Sequence, residues 1–308
     1  MTPKKLDHFL KIVQAGSLSR AADDLQIAHS ALSREVKELE AEIGVKLLQR
    51  NARGVEATPA GEALRRQAEI ILGLLGKVRD EVNNAADKPS GSVAFGMTAT
   101  MCGILLAPLV KNYIELYPDV KLRIREGTSF RLRSALLARE IDLAVLNAPI
   151  GEPQLIFRPF FIEPFVLVGP AISNLHKLSK ISMEELSKLK LILPVAHNTT
   201  RMLIDTAFEK QGLVPHNLLE TDDAAPMIQL VAAELGYAIM PASSVSAPTH
   251  GAAKTVHVPI AGLTLTRGIS APAGVAMSLA TQKMCELICT HTKALLVAKK
   301  LSGEYIGP

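Results

Sequence analysis

A run of structure-breaking residues, Asp87, Lys88, Pro89, Ser90 and Gly91, divides the chain between two hydrophobic periods. Before it, apolar residues recur every three or four positions, the spacing of one helical face; after it, short apolar runs alternate with helical stretches. A single layer architecture cannot satisfy both patterns, so the break is read as a hinge between a helical first part and an α/β second part with a largely parallel sheet. The 308 residues suffice for two or three packed units at about 100–200 residues per domain.

In the first part, Leu6, Phe9, Leu10 and Val13 line one face of a short helix that ends at Gly16. Ser17 is placed to cap a second helix, whose buried side is Leu18, Ala21, Ala22 and Leu25; the two alanines let another helix approach closely. A third helix buries Leu32, Val36, Leu39 and Ile43, stops at Gly44, and turns His29, Ser30, Ser33, Arg34 and Lys37 the other way. Two short helices joined by a tight turn, with hydrogen-bonding and cationic groups on the second, make a helix-turn-helix. Bulk charge adds little, because 34 Lys and Arg stand against 30 Asp and Glu, a formal net charge of +4. The segment 43–55 is the exception, with Lys46, Arg50 and Arg53 and no acidic residue. Cations that touch the phosphates govern affinity whatever the balance elsewhere, and the stretch around Arg50 and Arg53 stands where a winged variant carries its wing.

Residues 17–62 resemble the winged helix-turn-helix of LysR-type transcriptional regulators. The resemblance rests on Ala21 and Ala22, the run Ala28-His29-Ser30-Ala31-Leu32-Ser33-Arg34, Leu39-Glu40, Ile43-Gly44, the Arg50 to Gly54 wing and Thr58 to Gly61. Two departures stand out. His29 and Ser30 replace the usual Gln and Pro, which alters the expected base preference, and Ala28 replaces a Ser cap, a change that weakens a helix start by about 1 kcal/mol. The resemblance implies base reading by His29, Ser30 and Ala31, with Ser33, Arg34, Lys37, Arg50 and Arg53 mostly on the phosphates of double-stranded promoter DNA.

Thr58 and Pro59 read as cap and first residue of a long helix to about residue 86. Leu64, Ala68, Ile71, Leu75, Val78 and Val82 recur along it at alternating spacings of four and three, a heptad seam suited to one partner helix. Gly73 and Gly76 each cost about 1 kcal/mol relative to Ala, so contact along the helix must offset them. LysR-type regulators pair through such a linker helix, implying a homodimer or homotetramer, and RNA polymerase as a partner if the protein activates.

The expected organisation is a winged helix-turn-helix over 1–60, a linker helix over 61–88, and an effector domain over 89–308. Strands are expected at 93–97, 120–124 and 142–147 in one α/β subdomain, and at 165–168, 191–194 and 237–240 in a second, with a return strand at 263–269 and a closing helix at 275–298. Two halves crossed twice by the chain are similar to the periplasmic-binding-protein-like effector domain of the same family, with one subdomain at about 91–162 and 268–300 and the other at about 163–267. Ligands of open α/β sheets bind beyond the carboxyl ends of strands, where helix N-termini converge. That rule selects Thr98, Thr100, Met101, Ser129, Phe130 and Asn147 from one half, and His197, Asn198, Thr199 and Thr200 from the other. Hydroxyls and free N–H groups suit an organic anion, aromatic carboxylates included.

Three cysteines make no disulfide framework, and the N-terminal segment has no apolar signal core. Without an apolar run of about 18 residues, a cytoplasmic protein independent of membranes is expected. The phosphate-loop, dinucleotide, metalloprotease and nucleophile-elbow signatures are missing, so neither an enzyme nor a cofactor is expected. Cys285 and Cys289 lie one helical turn apart with no further ligand spaced near them, which reads as packing and not metal. Cys102, at an expected helix start beside the pocket, suggests an alternative redox-responsive regulator. A solute-binding protein or enzyme on the same α/β halves is the rival of another class, and it leaves residues 17–82 unexplained.

Overall fold

The computed structural model describes residues 1–51, 54–83, 88–221, 223–246 and 254–307. The chain forms two compact units, Met1–Ala86 and Asp87–Pro308.

The first unit opens with α1 (Pro3–Ala15), α2 (Leu18–Leu25) and α3 (His29–Ile43). Ser17 caps α2 by accepting from the Arg20 N–H, and Gly16 and Gly44 close α1 and α3 in left-handed conformation. Ile12, Ala21, Ala22, Leu32 and Val36 interlock in its core, beside a smaller group of Phe9, Leu39 and Leu47. A hairpin follows, β1 (Leu48–Asn51) paired antiparallel with β2 (Gly54–Ala57), and then the long α4 (Pro59–Asn83). Thr58 ties hairpin to helix: its hydroxyl donates to the Lys46 carbonyl at 2.7 Å and accepts from the Gly61 N–H at 3.0 Å. Gly61 is obligatory because a Cβ there would stand 2.0 Å from the Leu47 carbonyl oxygen. Gly54, at φ +134°, likewise brings its backbone against Gly16, and the next residue, Val55, donates its N–H to the Gly16 carbonyl at 2.9 Å.

The second unit places β3 (Gly91–Met97), α5 (Ala99–Leu116), β4 (Val120–Glu126), α6 (Ser129–Leu137) and β5 (Leu143–Asn147) before the long β6 (Leu155–Pro170). Then come α7 (Met183–Ser187), β7 (Leu191–Pro194), α8 (Thr199–Glu209), β8 (Asn217–Thr221), α9 (Ala224–Ala232), β9 (Tyr237–Pro241) and α10 (Ser243–Ser246). The long β10 (Thr255–Pro272), α11 (Leu279–Val297) and β11 (Glu304–Tyr305) complete it. Among the described residues one sheet runs β4-β3-β5-β10-β6-β9-β7-β8, with β11 on β6.

The expected largely parallel sheet is corrected here. The pairs β3–β4, β3–β5, β7–β8 and β7–β9 are parallel, whereas β10 is antiparallel to β5 and β6, and β6 to β9. The strands expected at 165–168 and 263–269 are parts of β6 and β10, which run through both halves as one antiparallel ribbon. A chain that passes from one half to the other and back must do so in opposite directions, and this fixes the ribbon's sense. Apolar clusters flank the sheet on both faces in each half: Phe95, Tyr113 and Met284 opposite Leu132 and Leu136 in one, Phe165, Phe208 and Ile239 opposite Met227 and Val231 in the other.

Candidate DNA interface and effector cleft

Helix α3 has Ala28 at its N-cap and no side-chain cap, so its first N–H groups remain available to an anion. His29, Ser30, Ala31, Arg34 and Lys37 are exposed around that end, and Ser33 is half-buried. Arg34 donates to Glu38 at 3.0 Å, an exposed pair that a phosphate could replace. The inner face of α3 is held on α1 by a hydrogen bond between the buried His8 Nδ1 and the Glu35 carboxylate. Glu40, also buried, accepts from the N–H groups of Leu47 at 2.9 Å and Leu48 at 3.3 Å and from Lys46 at 2.6 Å. Burial raises the Glu40 carboxyl, but Lys46 and the two N–H groups outweigh it and hold its pKa below the ordinary value. Of the three cations in the acid-free segment, Lys46 is therefore bound to the recognition helix. Arg50 lies in β1, while Arg53 falls outside the described residues.

Along α4, Ala68 is buried, Leu64 and Ile71 are half-buried, and Leu75 and Val78 are 40% and 56% exposed. Val82 lies in the last turn of the helix. The stripe thus passes from contact with its own unit to open surface.

In the second unit the sequence-selected residues follow the carboxyl ends of β3, β4, β5 and β7. Ser129 accepts from the Asn147 N–H at 3.1 Å. Phe130 meets His197 edge-on at 6.4 Å between ring centres, so the two halves touch across the mouth of a cleft, and the Arg133 guanidinium lies over the Phe130 ring at 5.4 Å. Thr100 and Thr199 are half-buried. Three selections are corrected: Met101 is fully buried in the core under α5, Asn198 uses its side chain to cap α8 on the Thr200 N–H at 2.9 Å, and Thr200 itself is buried. Apolar packing and capping claim these side chains. Burial, with Glu126 adding to it, pushes the Cys102 thiol up to about 11, which does not favour the redox-responsive alternative.

Arg267 and Glu163 escaped sequence reading. Glu163 (0% exposed) lies on β6 and Arg267 (1%) on β10, where a register shift between Arg267 and Gly268 re-aims the side chain. The Arg267 guanidinium pairs with Glu163 and donates to Asn147 at 2.7 Å, Ser243 at 3.0 Å and Thr98 at 3.4 Å. Ser243 returns its N–H and hydroxyl to Glu163 at 2.7 and 3.1 Å. One neutral, fully bonded hub therefore joins Thr98 and Asn147 of one half to Ser243 of the other. It also occupies the Thr98 hydroxyl, leaving α5 without a side-chain cap.

A reader helix with an uncapped N-terminus and a two-halved α/β unit with a central ribbon agree with the similarities of the chain. Residues 3–62 match the model of the bacterial regulatory helix-turn-helix protein, lysR family, and residues 86–292 match the LysR substrate binding domain. The chain belongs to the LysR family. Its first unit is the DNA-binding domain and its second the effector-binding domain of a transcriptional regulator. The HTH-type transcriptional regulator BbuR of Bordetella bronchiseptica is 30% identical over 235 residues, 76% of this chain and 72% of that protein. The nitrogen assimilation regulatory protein nac of Escherichia coli is 27% identical over 304 residues, 97% of this chain and 98% of that one. These LysR-family relatives are transcriptional regulators and not enzymes. Full-length CbnR complexed with its target DNA has a TM-score of 0.69 at 20% identity, covering 94% of this chain and all of that one. A full-length OxyR variant from Pseudomonas aeruginosa gives 0.71 at 23% identity, covering 100% and 99%. Among the described residues no helix is long and apolar enough to cross a membrane.

Proposed function

We propose that this LysR-family regulator reads promoter DNA as a homodimer or homotetramer paired through α4, and that a small organic anion in the effector cleft sets its activity. His29, Ser30 and Ala31 read base edges; Ser33, Arg34, Lys37, Arg50 and Arg53 hold phosphates. The observation that carries the DNA reading is the exposed, uncapped start of α3 with His29, Ser30, Ala31, Arg34 and Lys37 exposed around it. The CbnR complex with DNA, on the same fold, supports it.

The anion preference is supported by α5. Its first N–H groups lack a side-chain cap at the edge of the cleft, and the cation beside them is already neutralised by Glu163. The ligand's charge is then met by helix N–H groups, with hydroxyls from Thr98, Thr100, Ser129 and Thr199 around it and Asn147, Phe130 and His197 lining the rest. The effector shifts the two halves about the β6–β10 ribbon by its differential affinity for two arrangements, and the paired reader helices change how they hold the promoter for RNA polymerase.

Gel shifts on the DNA flanking the gene are expected to show an interrupted palindrome. Arg34→Ala should weaken binding to every sequence and reduce the salt slope by about 1, whereas His29→Ala should change the preferred bases. The opposite pattern reverses the two roles. No protected palindrome, at low salt and with aromatic and aliphatic carboxylates added, overturns this account of DNA reading.

A further inference from the structure

A cavity of about 1200 Å³ lies away from the cleft, between α11 and the β6–β10 ribbon in the first half of the effector domain. It exceeds the roughly 300–1000 Å³ usual for small-molecule sites. Its strand wall alternates Ile156, Arg158 and Phe160 on β6, next to Ile269 and Ala271 on β10. Its helical wall is one face of α11 from Gln282 to Val297, about 22 Å at 1.5 Å per residue. The walls are mostly apolar and incompletely covered: Ile156 is 38% and Val297 78% exposed.

The charges inside are not balanced. Glu286 is held by Lys283 at 2.8 Å. Arg158 makes no ion pair among the described residues, and Lys293 lies over the Tyr305 ring at 5.6 Å with no acidic partner there. An elongated apolar trough with two uncompensated cations complements one kind of molecule, an apolar chain carrying a single anionic head. A protein helix would need further acidic partners for cations on both walls.

We infer that this groove is a second ligand site, separate from the cleft, for an amphiphilic carboxylate of the fatty-acyl type, with Arg158 and Lys293 on the head and Ile156, Phe160 and Val297 along the chain. The cations select the ligand and the apolar walls hold it. Because α11 packs on the core beneath the cleft's first half, occupation stiffens the half that carries Thr98 and Asn147.

Calorimetric titration of the full-length protein with decanoate and with neutral decanamide tests the site. Saturable decanoate binding is expected, about tenfold or more weakened in the double variant Arg158→Gln, Lys293→Gln, with decanamide affinity unchanged. Ala294→Trp should block both probes, and Ser129→Ala, in the cleft, should leave both unaltered. Each variant's circular dichroism should match the parent. Decanoate should also shield Cys285 and Cys289, which line the groove, from maleimide. Absence of saturable binding overturns the inference, as does loss of decanoate binding with Ser129→Ala alone. A change of oligomeric state in the double variant without decanoate binding overturns it in favour of a protein contact.

Discussion

Glu163 and Arg267 bury opposite charges where water cannot reach them, and every polar atom around them is spoken for by Ser243, Asn147 or Thr98. Removing one partner leaves the other charged and desolvated. Glu163→Gln is therefore expected to lower unfolding free energy by about 3–5 kcal/mol, while Glu163→Gln combined with Arg267→Met recovers much of the loss. Urea unfolding of the two variants checks this, and equal loss in both would mean that the hub contributes by packing alone. The hub was hidden in the sequence for a physical reason. An arginine between Thr266 and Gly268 in a β-rich run reads as solvent-facing, and its partner is 104 positions away. By contrast, the places of Ser129 and Phe130 at a helix start and of Asn147 at a strand end were legible, because such ends mark themselves locally.

Elements announce themselves when one period runs through them. The apolar spacing of α1, α2 and α3 and the Thr58-Pro59 start of α4 were readable, because helix faces and caps are properties of a few neighbouring residues. The full length of β6 and β10 was not, since Pro159, Pro164 and Gly268 interrupt the alternation that a strand of that length should show. The hairpin beside α3 gives a prediction at this scale. Glu40 is the clasp between the recognition helix and the wing, and its folded carboxyl has a lowered pKa. A depressed carboxylate contributes stability above its unfolded pKa of about 4, and loses it as pH falls through the lower folded value. Acidification through that window should loosen the parent wing, seen as faster amide exchange at Leu47 and Leu48. Glu40→Gln should be looser already at neutral pH and change less on acidification; a parent hairpin that keeps its protection down to pH about 2 would contradict the clasp.

Across the whole molecule the two units divide the work: one places an exposed helix N-terminus for DNA, the other holds a cleft whose halves share a central ribbon. The division was visible at residues 87–91, where one hydrophobic period gives way to another. The ribbon carries a further consequence, which concerns synthesis. The half built on β3, β4 and β5 is finished only by Ile269, Met284, Ile288 and Leu301, which join its core after the other half has been made in between. A chain emerging from the ribosome must hold that early half open, with Phe95 and Tyr113 uncovered, while nearly the whole of the later half is translated. Truncation after residue 267 should accordingly yield an aggregation-prone product that binds hydrophobic dye, and chaperone demand should end only with the last helix. A soluble, cooperatively unfolding truncated chain would contradict this. The order of translation thus makes residues 269–301 the step that closes a domain begun near residue 91.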